Sequence, residues 1–148
     1  MMVLGRIAFG LATAAALSVA TAYADSMMPA KSPPPPKPIP ANFVQVSPCV
    51  KTMGVHYADV TKPLAGSTIY GVNQGKPVFT EIMLTPKQFA AGGSWDNVLR
   101  PLPGYTIDHV DIDYLKNGHP GMPFAHYDLH AYYVPHAVHM KFCPNGVM

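Results

Sequence analysis

The chain has 148 residues, with ten lysines and arginines, eight aspartates and glutamates, and a formal net charge of +2 when histidine is neutral. This length predicts one domain, and the lack of clustered lysine and arginine argues against a protein that binds nucleic acid through its phosphates. Seven histidines and two cysteines make metal and disulfide chemistry the first possibilities to weigh.

Residues 1–24 have the pattern of a secretory signal peptide. Arg6 supplies a positive start, residues 7–20 form an apolar run, and residues 22–24 read Ala-Tyr-Ala, a small-x-small cleavage site. The run is short for a membrane span of about 20 residues, and no lipobox cysteine is present. The sequence therefore predicts cleavage before Asp25 and a periplasmic or secreted protein without a membrane anchor.

Residues 25–41 contain seven prolines and two lysines. Such a segment adopts an extended polyproline conformation and cannot form a strand ladder. We expect a proline-rich flexible arm ahead of a single domain at residues 42–148. A ligand for a proline-binding module is the other interpretation.

Residues 43–84 show the alternation of short β-strands. The predicted strands cover residues 43–50 with an interruption at Pro48, 53–59 with a turn or bulge at Gly54, 67–72 and 77–84, and residues 73–76 form a hairpin turn. Glu81, the only glutamate of the chain, falls within the last of these strands. A solvated strand face is the expectation for it, and a base or a metal ligand is the alternative.

A short helix follows these strands. Thr85 is the predicted N-cap and Pro86 occupies the first helical position, while the glycines at 92 and 93 end the helix. Residues 95–102 contain the only tryptophan, Trp95, and are predicted to pack the helix onto the sheet.

Residues 105–115 predict another strand. Its apolar positions change parity near His109, which indicates a bulge there. Three aspartates in and beside it lack the spacing and glycine of an EF-hand and are read as mainly exposed carboxylates: Asp108, Asp111 and Asp113. Asn117 and Gly118 form a turn signal, so the strand should return antiparallel into the next one. Near the end of the chain, His136 and His139 are interpreted as a surface pair.

The segment at residues 126–134 reads H-Y-D-L-H-A-Y-Y-V. As a strand it places one set of alternate residues on one face, His126, Asp128, His130 and Tyr132, and the other set on the opposite face, Tyr127, Leu129, Ala131 and Tyr133. Residues two apart lie about 6.8 Å from one another and residues four apart about 13.5 Å, so His126 and His130 are poor ligands for one ion. A helix is the alternative, since residues at i and i+4 are neighbours there.

The polar face of that strand predicts a metal site. Its ligands are Asp128 with one of the two strand histidines, and a histidine from elsewhere, with His119 and His56 as first candidates. The second strand histidine then lies beside the ligands. Imidazole and carboxylate suit zinc, copper or iron better than calcium, and three protein ligands with an open position would permit water activation.

Residues 118–134, together with G-V-H-Y-A-D at residues 54–59, resemble a family of small exported bacterial proteins of unknown function, typified by a Thermus protein under an extracytoplasmic sigma and anti-sigma system. The positions that carry the resemblance are Gly54, His56, Asp59, Gly118, His119, Gly121, Met122, Pro123, His126, Asp128 and His130. The resemblance implies self-association into a homo-oligomer and no established catalytic activity. With the predicted elements, it implies an α+β fold, mainly antiparallel β-sheet with one or two short helices.

Cys49 and Cys143 bracket most of the predicted domain. In an exported protein an even cysteine count favours pairing, which predicts a disulfide. An intermolecular bond or two buried thiols are the alternatives.

Two functions remain after these steps. One is an exported metal-binding protein, with any reaction unknown. The other is a non-catalytic protein of the cell envelope whose His/Tyr face forms a subunit contact or a ligand pocket. Hydrolase, phosphate-loop and dinucleotide fingerprints are absent from the sequence.

Overall fold

A computed structural model describes residues 34–148 of the chain, so the predicted signal peptide and the start of the predicted arm lie outside the described residues. Within these described residues, six strands form one sheet, and two short helices accompany it. In chain order the elements are β1 (Val44–Gln45), β2 (Val55–Ala58), β3 (Thr68–Asn73), β4 (Lys76–Leu84), α1 (Pro86–Ala90), β5 (His109–Leu115), β6 (His126–Tyr132) and α2 (His136–His139). The predicted fold, mainly antiparallel sheet with one or two short helices, is confirmed.

The strand order in the sheet is β1-β2-β3-β4-β6-β5, and every neighbouring pair is antiparallel. The last strand in the chain, β6, thus lies between β4 and β5. The predicted antiparallel return of β5 into β6 is confirmed, with Leu115 opposite His126. The connection between them, residues 116–125, is longer than the tight hairpin that Asn117 and Gly118 suggest.

The bulge predicted near His109 is wrong. β5 begins at His109 and pairs with β6 in continuous register up to Leu115. The change of parity arises because residues 105–108 precede the strand. A register shift instead lies in the pairing of β3 with β4, where Gly71 and Val72 pair with Phe79 and Pro77 and Val78 of β4 is skipped.

The start of α1 follows the prediction. Gln88 N donates to Thr85 Oγ1 over 3.2 Å, and Thr85 N donates to Gln88 Oε1 over 2.9 Å, which together form a capping box. The Phe89 ring of this helix lies 5.8 Å from Trp95 and 5.1 Å from Tyr127 of β6, centroid to centroid. The tryptophan segment therefore packs the helix against the sheet, as predicted.

Apolar clusters cover both faces of the sheet. One contains Ile39, Tyr57, Val72 and Leu102, so the end of the predicted arm packs against the domain. The other face carries two clusters, one built from Ala58, Ile69, Met83 and Met122, the other from Val78, Phe79, Tyr132 and Phe142. A group of buried polar residues lies between these two clusters.

Cys49 and Cys143 form a disulfide with their Cα atoms 5.8 Å apart and 94 residues apart in sequence, so this prediction is confirmed. Within residues 34–148, no helix has the length and apolar character needed to cross a membrane.

Candidate metal centre

The register of the sheet assembles polar residues on one face. His130 of the central strand β6 lies opposite Glu81 of β4 on one side and opposite Asp111 of β5 on the other. Residues opposite each other on paired strands project to the same side. His126, Asp128 and His130 of β6 are on this side and are fully buried. The predicted shared face of β6 is confirmed, and it forms part of the interior.

The first group on this face contains His119, His126 and Asp128. The Nε2 atoms of His119 and His126 lie 3.5 Å from Oδ2 and 2.9 Å from Oδ1 of Asp128. The Nδ1 atoms contact backbone carbonyls, over 2.9 Å to Pro120 O and 2.6 Å to Phe124 O. A carbonyl can only accept, so each Nδ1 carries a proton, and in the neutral imidazole each Nε2 presents its lone pair, as in metal-ligating histidines.

A folded-back loop brings His119 to this group. Gly118 has φ of +67°, and a Cβ there would lie 2.0 Å from Met122 O, so only glycine fits. His119 and Met122 exchange two backbone hydrogen bonds of 3.2 and 2.9 Å. The Met122 side chain is buried against Ala58 and Ile69. Packing of this methionine therefore fixes the histidine over β6.

The second group contains His56, Glu81 and His130. Glu81 Oε2 lies 3.5 Å from His56 Nε2, and Oε1 lies 3.4 Å from His130 Nε2. Ser47 Oγ donates to Pro48 O over 2.8 Å, so its contact of 2.8 Å with His56 Nδ1 is one in which the imidazole donates. His56 Nε2 therefore also presents a lone pair.

The solvated position predicted for Glu81 is wrong, since its exposed fraction is 0%. β4 is a central strand of the sheet, because it pairs with β3 on one side and with β6 on the other. The sequence of β4 alone does not show that β6 is its neighbour. The single glutamate in a strand of mainly apolar residues was the only signal.

Gly71 makes room for the wall of the second group. It lies opposite both His56 and Phe79, and a Cβ at Gly71 would come within 2.1 Å of the phenyl ring. The ring instead lies over the glycine, 5.4 Å from the His56 ring and 4.6 Å from the His130 ring. An apolar wall of this kind excludes water from the imidazoles.

The two groups adjoin, because the rings of His56 and His119 stack at 5.3 Å. Nine buried ligand atoms of the six residues lack a hydrogen-bond partner among the described residues: His56 Nε2, Glu81 Oε1 and Oε2, His119 Nε2, His126 Nε2, Asp128 Oδ1 and Oδ2, and His130 Nδ1 and Nε2. Their nitrogen–oxygen distances of 2.9–3.5 Å bracket the separation of about 3.3 Å between two ligands of a tetrahedral ion.

A buried polar atom that is left without a partner costs about 1–3 kcal/mol, which is a large fraction of the stability of a typical domain. Cation binding to structural sites supplies about 10–16 kcal/mol and satisfies such atoms together. The six residues could therefore hold metal ions, and their donor set fits a transition metal.

Electrostatics prepares the second group for a cation. Burial, assisted by the charges of His119 and His130, lowers the pKa of His56 well below its ordinary value. Burial also lowers the pKa of His130 to about 4. For Glu81, burial and then the charge of Asp128 raise the pKa well above the usual range. Both imidazoles are thus neutral at pH 7, and a cation would compete with a proton for the Glu81 carboxylate.

In the first group, the pairing of Asp128 with the histidines affects the pKa values more strongly than burial does. Burial alone would raise the pKa of Asp128, but the imidazoles of His119 and His126 hold it below its usual range. Burial alone would lower the pKa of His126, but Asp128 raises it. This group therefore keeps a carboxylate that can bind a cation, and the cation competes with the His126 proton.

The pKa of His130 predicts an acid-sensitive contribution to stability in the metal-free protein. Between pH 6.5 and 4 the unfolded chain binds a proton at this residue and the folded protein does not, so the free energy of unfolding falls as the pH falls. Glu81 and His126, with raised pKa values, act in the opposite direction. Comparison with His130→Gln isolates the effect: in chelator, the stability difference between wild type and variant should shrink by about 3 kcal/mol across this window. A pH-independent difference would contradict it.

The structure brings together all five residues predicted as metal ligands, in two groups instead of one. His126 and His130 are in different groups, as their predicted separation along the strand requires. His119 joins Asp128, and His56 joins the neighbouring group.

No model of a protein family, no curated protein and no solved structure matches the chain.

Proposed function

We propose that the protein is an exported metal-binding protein whose six buried residues hold two divalent transition-metal ions, one in each group. The observation that carries this proposal is the convergence of nine buried ligand atoms without hydrogen-bond partners among residues 34–148. Hydrogen bonds from Nδ1 of His56, His119 and His126 support it, since they aim each Nε2 inward.

The donor set narrows the metal. Each group offers two imidazoles and one carboxylate, a combination that suits zinc, copper(II) or iron(II) and not calcium or magnesium. Three protein ligands per ion resemble catalytic zinc sites, which keep one position for water. Full burial of His126, Asp128 and His130 favours a structural or storage role over hydrolysis of a large substrate.

The competing proposal of a subunit contact through the His/Tyr face of β6 has less support. The histidines and the aspartate of that face are buried within a single chain, so they offer no surface to a partner. Export is supported by the disulfide, since such bonds persist in oxidising compartments. Membership of the exported family that the motif resembles is part of this proposal, because the motif residues from His119 to His130 surround the candidate centre.

Metal analysis of protein purified without a polyhistidine tag tests the buried centre. Elemental analysis after exposure to zinc and removal of loosely bound ions should give two tightly held ions in the wild type. His126→Ala and His130→Ala should each remove one, and the double variant both. Asp96→Asn, a change at an exposed carboxylate, should leave the content unchanged. A wild type that retains no ion after removal of the loosely bound ones, or an ion content that His126→Ala and His130→Ala leave unchanged, would overturn the proposal.

We also propose self-association through the exposed edge strand. β5 is at the end of the sheet, and its outward side chains Val110, Ile112 and Tyr114 are 49%, 62% and 52% exposed. An apolar edge strand is a template for pairing with a second chain. Sedimentation velocity should show an oligomer for the wild type and a smaller species for Ile112→Asp. Monomeric wild type over the micromolar range would exclude it.

A further inference from the structure

A third polar group lies beside the buried centre, at the open edge of the sheet. Its members are His109, Asp111, His136 and His139. With it, each of the seven histidines of the chain belongs to one of three groups. The sequence interpretation of His136 and His139 as a surface pair was wrong for His139, which is 3% exposed, because α2 packs it against the sheet.

The four residues come from two elements that meet only in the folded protein. His109 and Asp111 are two apart on β5 and project to the same side, while His136 and His139 lie on one side of the short helix α2. Asp111 Oδ2 is the common point: it lies 3.6 Å from His109 Nε2, 3.3 Å from His136 Nδ1 and 3.3 Å from His139 Nε2. His136 Nδ1 and His139 Nε2 are 2.9 Å apart.

The surrounding contacts orient two of these imidazoles. His139 Nδ1 donates to Thr52 O over 3.2 Å, and His109 Nδ1 lies 2.9 Å from the Asp108 carboxylate. Both contacts direct Nε2 toward Asp111. His109 Nε2 is buried and has no hydrogen-bond partner in the described part of the chain. In metal sites, too, the ring nitrogen that does not bind the metal usually donates to a backbone carbonyl or a carboxylate.

We propose that His109, Asp111, His136 and His139 form a separate, solvent-accessible site for copper(II) or zinc. Three imidazole nitrogens and one carboxylate oxygen complete the four-ligand set that these ions accept, and copper(II) should bind most tightly. Solvent reaches the site from one side: the side chains of His136, Asp111 and His109 are 62%, 25% and 21% exposed, whereas that of His139 is 4% exposed. An ion held there exchanges with solution, unlike one in the buried centre.

Tyr132 separates the two sites. Its ring stacks on His139 at 3.9 Å and on His109 at 5.1 Å, and the ring of His130 lies 5.3 Å away toward the buried centre. The tyrosine therefore prevents the surface ligands and His130 from converging on one ion. Each group therefore keeps its own set of ligands.

The test is a titration of metal-free full-length mature protein with copper(II) and with zinc. Copper binding is followed by electron paramagnetic resonance, which reports nitrogen ligands, and by competition with a chelator of known affinity. His136→Ala removes an exposed ligand that supports no core packing, so the variant should fold. It should lose one copper(II) ion, or bind it about 100-fold more weakly, since even partners of ligands contribute 10–100-fold. Lys141→Ala, at an exposed cation nearby, is the matched control and should bind as the wild type does.

Two further arms separate this site from the buried centre. His130→Ala should keep the readily exchanged ion, and Asp111→Asn should weaken it without changing the slowly exchanged content. The proposal is overturned if His136→Ala and Asp111→Asn bind copper(II) with the wild-type stoichiometry and affinity, in which case the four residues form only a hydrogen-bonded network. That result would leave the buried centre untouched, and failure of the buried centre would leave this site untouched.

Discussion

Treatment of the zinc-loaded protein with a chelator should lower its midpoint of thermal unfolding by about 20 °C for each ion that it removes from the buried centre. An ion bound to the folded state alone stabilises it by about 4 kcal/mol at a free concentration 1,000 times its dissociation constant. For a domain of about 100 residues, 1 kcal/mol corresponds to about 4–8 °C. The physical source is the set of buried ligand atoms of Glu81, Asp128 and the neighbouring histidines, which lose the charge of the bound ion. Circular dichroism in the presence of chelator, followed by addition of excess zinc, measures the loss and its recovery.

Variants assign this effect to the buried centre. The double variant His126→Ala with His130→Ala should show little response to the chelator, because its high-affinity ligands are gone. His136→Ala, in the exposed group, should retain most of the response. An unfolding midpoint that the chelator leaves unchanged in the wild type, at zinc saturation, would contradict both the stabilisation and the charge argument behind it.

The local pattern of β6 was readable from the sequence because a strand has a period of two. His126, Asp128 and His130 had to share a face, and His126 and His130 had to be too far apart for one ion. Both inferences needed only residues within one element. Asn117 and Gly118 also indicated a turn after β5, but not the longer loop that returns His119.

The rest of the centre depends on which strands are neighbours. Glu81 contacts His130 only because β6 inserts between β4 and β5, and sequence order places β5 next after β4. Likewise, Asp111 and His139 meet because α2 folds back over β5. Such contacts arise from the burial of apolar side chains such as Met122 and Phe142 elsewhere in the fold, and no spacing within a single segment records them.

The chain segment around the disulfide contacts both the buried centre and the exposed group. Ser47, two residues before Cys49, holds His56 in the buried centre, and Thr52, three residues after it, holds His139 in the exposed group. Thr52 N in turn donates to Phe142 O, beside Cys143. The covalent bond therefore fixes the backbone that orients His56 in the buried centre and His139 in the exposed group.

Loss of this disulfide should be the most destabilising change outside the metal ligands. The bond closes a loop of 94 residues, for which the chain-entropy model gives about 4–5 kcal/mol of stabilisation. Cys49→Ser combined with Cys143→Ser should lose about this free energy of unfolding in urea. The same variant should bind copper(II) at the exposed group about 10-fold more weakly, because the Thr52 contact that orients His139 is loosened.

Reduction of the wild-type protein provides the matched comparison, since it breaks the bond without replacing a side chain. Reduced wild type and the double variant should agree in stability and in copper affinity, and the reductant should have no effect on the variant. A loss below about 1 kcal/mol in both would mean that the segments around Cys49 and Cys143 are held by their packing alone. In that case the disulfide would not be needed to orient His56 and His139. The hydrogen bonds of Ser47 and Thr52 would orient these imidazoles by themselves.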